Sequence, residues 1–178
     1  YVRSCKIGIK CMSKQVITLS DRAAERVKEI ILKAKELIKN AQKKIVISGW
    51  KREIEELRKE LIAANKRGIE NTIFSFTGID EQLGKIVSYE LEEEDLRKIW
   101  TPKVIMVVDN QHTIMGSTKK TEDCKAILTK NTAINEIATN HIILDITLAG
   151  RRLDFDSDPY VKNIMRDPAE NLQHLLKV

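Results

Sequence analysis

The chain has 178 residues, of which 42% are hydrophobic, 32% charged and only 4% aromatic. That share of apolar side chains is enough to bury a core, which excludes a disordered segment, and the core must rest on Ile, Leu and Val. The 31 basic and 26 acidic residues leave a net charge of +5. The two signs are mixed, as in KREIEELRKE, which reads as a solvated helix face rather than a basic stripe for nucleic acid.

No apolar run approaches the roughly 20 residues that span a bilayer, and no secretory leader is visible, so a cytoplasmic protein with no membrane contact is expected. The first residue is Tyr, and YVRSCKIGIKCM lacks a helical pattern. The chain therefore reads as a piece of a longer polypeptide, with residues 1–20 a linker or extension. Cys5, Cys11 and Cys124 are odd in number and contain no CxxC, the usage of ordinary cytosolic thiols. His112, His141 and His174 form no helical pair of ligands, so neither a metal nor another cofactor is expected.

The first strong element is a helix from Asp21 to Asn40, with Ser20 as its cap and an apolar stripe through Val27, Ile30, Ile31, Ala34, Leu37 and Ile38. Ile45, Val46 and Ile47 are a continuous β-branched run, the signature of a strand buried on both faces, and Ser48 and Gly49 end it. An amphipathic helix over Arg52–Lys66 follows, with Gly68 in the left-handed position after its end. NTIFSFTG is the next strand. A strand, a crossover helix and a strand make a right-handed parallel unit.

Between Ile79 and Trp100 the pattern weakens. Gly78 and Gly84 mark turns, and Lys85–Leu91 reads as a strand. VIMVVDN, residues 104–110, is a strongly apolar strand ending on an acid. A tight turn at Asn110–Gln111 leads into HTIMGS as its hairpin partner. CKAILT is a further short strand. Residues 131–149 read as a helix ending at Gly150, with a strand over Ile142–Ile146 as the alternative. Asp-Pro at Asp158 and at Asp167, the latter with Glu170 three residues on, start helices of a small C-terminal appendage covering residues 154–178.

Chemistry concentrates in VIMVVDNQHTIMGST, where Asp109 is followed after six residues by Gly116-Ser117. This resembles the second half of the phospholipase D signature: His-x-Lys, four residues, Asp, six residues, Gly-Ser, one residue, Asn. Residues 41–76 resemble the opening unit of the same superfamily. That chemistry needs the histidine as nucleophile on phosphorus and the lysine on phosphate oxygens. Counted from Asp109, the histidine place is Pro102, the lysine place is Val104 and the terminal Asn place is Lys119. Lys103 is one residue off, which on a strand means the opposite face. The resemblance thus implies a site without its catalytic residues, and no enzyme. Asp109 itself has a plainer reading as an acid that bonds the backbone of its own turn.

Over residues 15–165 the chain resembles the region that follows the winged helix in TrmB-type transcriptional regulators. The resemblance rests on ELIKNAQKKIVIS, VVDNQHTIMGS, AILTKNTAINEIATNHIILDITLAG and the following Leu153 and DPY segment. It implies a phospholipase D-like α/β fold: a mixed sheet flanked by helices, a single half-unit over residues 21–153. It also implies an effector-sensing and dimerising role, with a sugar as a typical effector, a homodimer, and DNA contacted through a winged helix outside this sequence. Open α/β sheets place ligands beyond the carboxyl ends of their strands. Ser48, Gly49, Trp50, Asp109, His112 and Ser117 are the residues expected to line that crevice. Trp50 either stacks on a sugar ring or covers the sheet end, and Trp100 carries the same pair of readings. Two other functions stay open: an active phosphodiesterase or nuclease of the superfamily, and an interaction scaffold without a ligand.

Overall fold

The computed structural model describes residues 28–79, 81–117 and 126–165. Cys5, Cys11, Cys124, His174, the Ser20 cap, Lys119 and the helix start at Asp167 lie outside them. In chain order the elements are α1 (residues 28–40), β1 (Lys44–Gly49), α2 (Lys51–Glu56), α3 (Arg58–Lys66), β2 (Glu70–Ser75), a 3-10 turn (Glu81–Leu83), β3 (Lys85–Ser88) and α4 (Glu93–Ile99). Then come β4 (Lys103–Val108), β5 (His112–Ser117), β6 (Ala126–Thr129), α5 (Thr132–Leu153) and α6 (Asp158–Val161).

The six strands form one sheet in the order β3-β2-β1-β4-β5-β6. β1, β2 and β3 are parallel: α2 and α3 cross over from β1 to β2, whereas a short connection through the 3-10 turn Glu81–Leu83 carries the chain from β2 to β3. From β4 onward the neighbours are antiparallel, which makes the sheet mixed. β1 sits in the middle and its run of β-branched residues serves both faces. Ile45 and Ile47 enter a core with Ile38, Ile54, Leu61, Ile73, Met106 and Ile114, beneath α1, α2 and α3. Val46 faces the other way, into a core with Phe74, Ile142, Ile146, Ala149, Val161 and Ile164 beneath α5 and the α6 segment. The result is a three-layer α/β/α sandwich, with each layer supplied by residues of the period its element demands.

Several expectations shift in detail. The helix read as continuous over Arg52–Lys66 is broken at Leu57, which caps α2 and opens α3. The polar stretch EEEDLRK is helical: its acids occupy the first turn of α4, Arg97 and Lys98 the last, and Leu96 is the buried anchor. The hairpin turn falls one residue earlier than read, on Asp109 and Asn110, both at positive φ, and is closed by Gln111 N donating to Val108 O at 3.0 Å. Ile142–Ile146 is helical. A strand there would have needed period-two burial, whereas Ala138, Ile142, Ile146 and Ala149 recur every three to four residues and line one helix face.

The same helix passes Gly150 and ends at Leu153, with Asp154 in the left-handed capping conformation. Gly150 is inside the helix for space, not as its stop. A Cβ there would come within 2.9 Å of Ser157 Cβ and 3.0 Å of Phe155 O. Gly68 does occupy the left-handed position after α3, at φ +84°. Among the described residues, no helix is long and apolar enough to cross a membrane.

Candidate functional site

Because β4 runs antiparallel to β1, its carboxyl end lies at the amino end of β1: Val108 pairs with Ile45, and Ile105 with Ser48. The six residues expected in one crevice therefore divide between opposite ends of the sheet. Ser48, Gly49, Trp50 and Ser117 lie at the carboxyl end of the parallel strands. Asp109 and His112 lie at the other end, about 17 Å away along β5 at 3.3 Å per residue.

Asp109 is bound into the scaffold. Its Oδ1 accepts hydrogen bonds from Lys43 N at 2.8 Å and Lys44 N at 3.0 Å, and its Oδ2 accepts one from Gln42 N at 2.9 Å. It caps backbone, but that of the α1–β1 junction rather than of its own turn. Nearby, Lys44 Nζ donates to Asn163 O and Ile164 O, tying β1 to the segment after α6. Burial is the main influence on this ammonium and lowers its pKa, against the raising effects of Glu70 and Asp109.

At the other end the two faces of the sheet differ. On the α1 face, Val104 is only 7% exposed, and its Cγ2 lies 3.6 Å from where a Cβ on Gly49 would stand. A cavity of about 20 Å³ there is lined by Ile30, Ile31, Ala34, Glu53, Leu57, Val104, Met106 and Ile114. It has room for about one water and none for a sugar ring. Glu53 is buried in its wall, with Oε1 2.6 Å from Arg52 Nη2. Pro102, at the place the superfamily pattern gives to histidine, is buried before β4, and its carbonyl accepts from Ser117 Oγ at 3.4 Å.

The α5 face is polar at this end. The register puts Ser48, Lys103 and Ser117 on it together. Ser48 Oγ donates to Asp145 Oδ2 at 3.3 Å, and His141 Nε2 lies 3.6 Å from the same oxygen. Burial raises the Asp145 pKa above 3.8, partly offset by His141, the Ser48 hydroxyl and Lys103. Asp145 was not singled out from the sequence, and His141 and Lys103 were weighed there only as a metal ligand and a phosphate clamp, although His141-x-x-x-Asp145 is a pair at helical spacing.

The raised pKa carries a testable sign. Between the unfolded value and the raised folded value the native state holds the extra proton, so stability falls as pH rises through that window. Asp145→Asn removes this dependence and keeps an acceptor for Ser48. In thermal melts the variant is expected to gain on the parent at neutral pH and to lose that advantage in acid. A difference independent of pH would contradict the assignment.

Trp50 is 2% exposed and covers the sheet end; it offers no face to a ligand in this arrangement. Trp100 is the accessible indole, 47% exposed and edge-on to Phe76 at 5.1 Å between centroids. Phe76 and Tyr89 pack beside it, and Arg152 lies over the Tyr89 ring at 5.9 Å. Among the described residues, no group of three or more His, Cys, Asp or Glu is placed to hold a metal ion.

These features define a three-layer α/β domain with one apolar and one polar face at the carboxyl ends of its parallel strands. The family model for the transcriptional regulator TrmB, EBD N-terminal subdomain, matches residues 22–140. The chain belongs to that family. No curated protein matches it. Among solved structures it is similar to TrmBL2, described as an archaeal chromatin protein with a novel mode of DNA binding. That likeness has 13% identity and a TM-score of 0.50, over 65% of this chain and 47% of that one. This chain therefore spans about half the length of that relative. NucT from Helicobacter pylori is similar over 69% of this chain and 91% of its own, at 12% identity and a TM-score of 0.49. Nuc from Salmonella typhimurium, a phospholipase D family member, is similar over 62% and 82%, at 15% identity and a TM-score of 0.41.

Proposed function

We propose that this domain is the non-catalytic, effector-sensing and dimerising part of a TrmB-like transcriptional regulator acting in the cytoplasm. The observation that carries the reading is Val104. The residue at the place of a phosphate-binding lysine is apolar, buried and packed into the core beneath α1. With Pro102 at the histidine place, neither a nucleophile nor a phosphate clamp stands there. Membership in a family of transcriptional regulators supports the same conclusion.

In this reading the effector is a small molecule such as a sugar, and it meets the carboxyl end of the parallel strands. Ser48, Gly49 and Ser117 belong to that end, where Trp50 is buried out of a ligand's reach. Lys103, His141 and Asp145 add donors and acceptors suited to hydroxyl groups. DNA is contacted by a winged helix elsewhere in the full-length regulator. The effector acts by binding one dimer geometry better than another and so changes the spacing of the two DNA-binding domains.

Thermal melts against a panel of sugars and nucleotides test it, because a ligand bound only to the folded state raises Tm. The expected result is a shift with one compound class that shrinks in Ser48→Ala. No shift with any compound would favour a scaffold without a ligand. Hydrolysis of a chromogenic phosphodiester, lost in Ser117→Ala, would overturn the non-catalytic reading.

A further inference from the structure

We propose that the outward face of α5 is a self-association surface that takes a second copy of this chain, laid antiparallel across a two-fold axis. This rests on the dimerising role argued above and names the surface that carries it. α5 is apolar on two opposite sides. Its inner side, through Ala138, Ile142, Ile146 and Ala149, is the lid of the second core. Its outer side carries Ile137 at 66% exposure, Leu144 at 66% and Leu148 at 44%. Spacings of seven and four residues put these three in one stripe, and His141 lies between them on the same side. An apolar side of a helix is normally covered, and here only the inner one is. The stripe is on the order of 300 Å², the size at which a contiguous apolar patch on a monomer is often functional.

The charges on α5 select the occupant. Glu136 is near the amino end, and Arg151 and Arg152 stand at the carboxyl end. A second α5 laid antiparallel brings Ile137 of one copy against Leu148 of the other and His141 against Leu144. The same register sets Glu136 opposite Ala149, about half a turn from Arg151 and within reach of its long side chain, at both ends. A parallel copy would set acid against acid and base against base. The helix dipoles likewise oppose each other only in the antiparallel arrangement. The pattern is thus self-complementary about a point between residues 141 and 144, which is what a closed two-fold contact requires. Among the described residues the other exposed apolar side chains lack this arrangement: Leu32 stands on α1, Leu91, Ile99 and Trp100 flank α4, Ile127 and Leu128 are neighbours on the edge strand β6, and Leu153 is the last residue of α5. One helix face is less than the roughly 800 Å² per partner of a standard interface, so the association is concentration-dependent.

Sedimentation velocity of the 178-residue chain over a hundred-fold concentration range tests the proposal. The parent is expected to pass from monomer to dimer. Leu144→Glu and Leu148→Glu should each weaken the dimer at least about tenfold, since Leu144→Glu sets two carboxylates near the two-fold axis and Leu148→Glu sets one against Ile137 at each end. Leu32→Glu, with an equally exposed leucine on the other side of the molecule, should leave it within about twofold. Added salt should weaken the parent dimer, and strengthening by salt would overturn the antiparallel orientation. Circular dichroism checks that each variant is folded, and Ile137→Lys replaces any that is not. A dimer that survives in folded stripe variants would reject the α5 surface and leave dimerisation standing elsewhere. A parent monomeric at every concentration would reject both, and the stripe would belong to a different partner.

Discussion

Val104→Lys is expected to destabilise the domain by about 3 kcal/mol and to create no phosphodiesterase. Two effects add. The site is 7% exposed, and its cavity of about 20 Å³ cannot hold the extra length of a lysine, so neighbours on α1 and α2 must move. The ammonium also leaves water for a wall of Ile30, Ile31, Ala34 and Leu57. Among the described residues that line it, Glu53 is the only acid, and it already has Arg52 at 2.6 Å, so the new charge competes for an engaged partner. Urea unfolding gives the number, and the double variant Pro102→His with Val104→Lys gives the chemistry. The neighbouring substitution Lys103→Gln is the control. Lys103 is exposed on the opposite face of the same strand, and the change should stay within about 0.5 kcal/mol. A Val104→Lys protein as stable as its parent would mean the place is open to solvent. If the double variant were also active, the domain would be a lapsed enzyme one step from function.

The contrast between Val104 and Lys103 is where the sequence was most informative. A period of two decides which face a residue serves, and that could be counted from Asp109 without coordinates. The central strand was equally legible, because Ile45, Val46 and Ile47 leave no polar face. Helix ends were less so. Gly150 has the residue type of a helix stop, yet the chain continues because the glycine is needed for the return of residues 155–157. Its local signal and its tertiary cause differ, and only the second fixes the boundary.

The candidate site was half legible for a related reason. Ser48, Gly49 and Ser117 were expected at the carboxyl end of the sheet and lie there. Asp109 and His112 were assigned to the same crevice because both flank a strand end. Strand direction, which no single strand announces, puts that end of β4 beside the amino end of β1. The residues that fill the polar face instead, His141 and Asp145, come from a helix whose partner strands are far away in sequence. Nothing in their own segment specifies that Ser48 is their neighbour.

Asp109→Ala is expected to cost about 3 kcal/mol, through a route unrelated to any ligand. The carboxylate accepts three backbone N–H groups, from Gln42, Lys43 and Lys44, and these are charge-assisted bonds. Removing it strands donors in the junction where α1 turns into the central strand. It also puts alanine at φ +52°, a conformation that costs roughly 1 kcal/mol or more without an Asn, Asp or Gly side chain. Asp109→Asn separates the two contributions. Asparagine tolerates the left-handed backbone and keeps one good acceptor, so about half the loss should return. Hydrogen exchange localises the effect. The amides of residues 42–44 should exchange faster in Asp109→Ala, while those of β2 change only as far as global stability falls. Because α1 forms one wall of the cavity beside Val104, loosening its junction should also expose that cavity, and a fluorescent apolar dye reports it. If Asp109→Ala melted like its parent with residues 42–44 still protected, the acid would be idle in the scaffold. Its presence at the β4–β5 turn would then need a functional explanation after all.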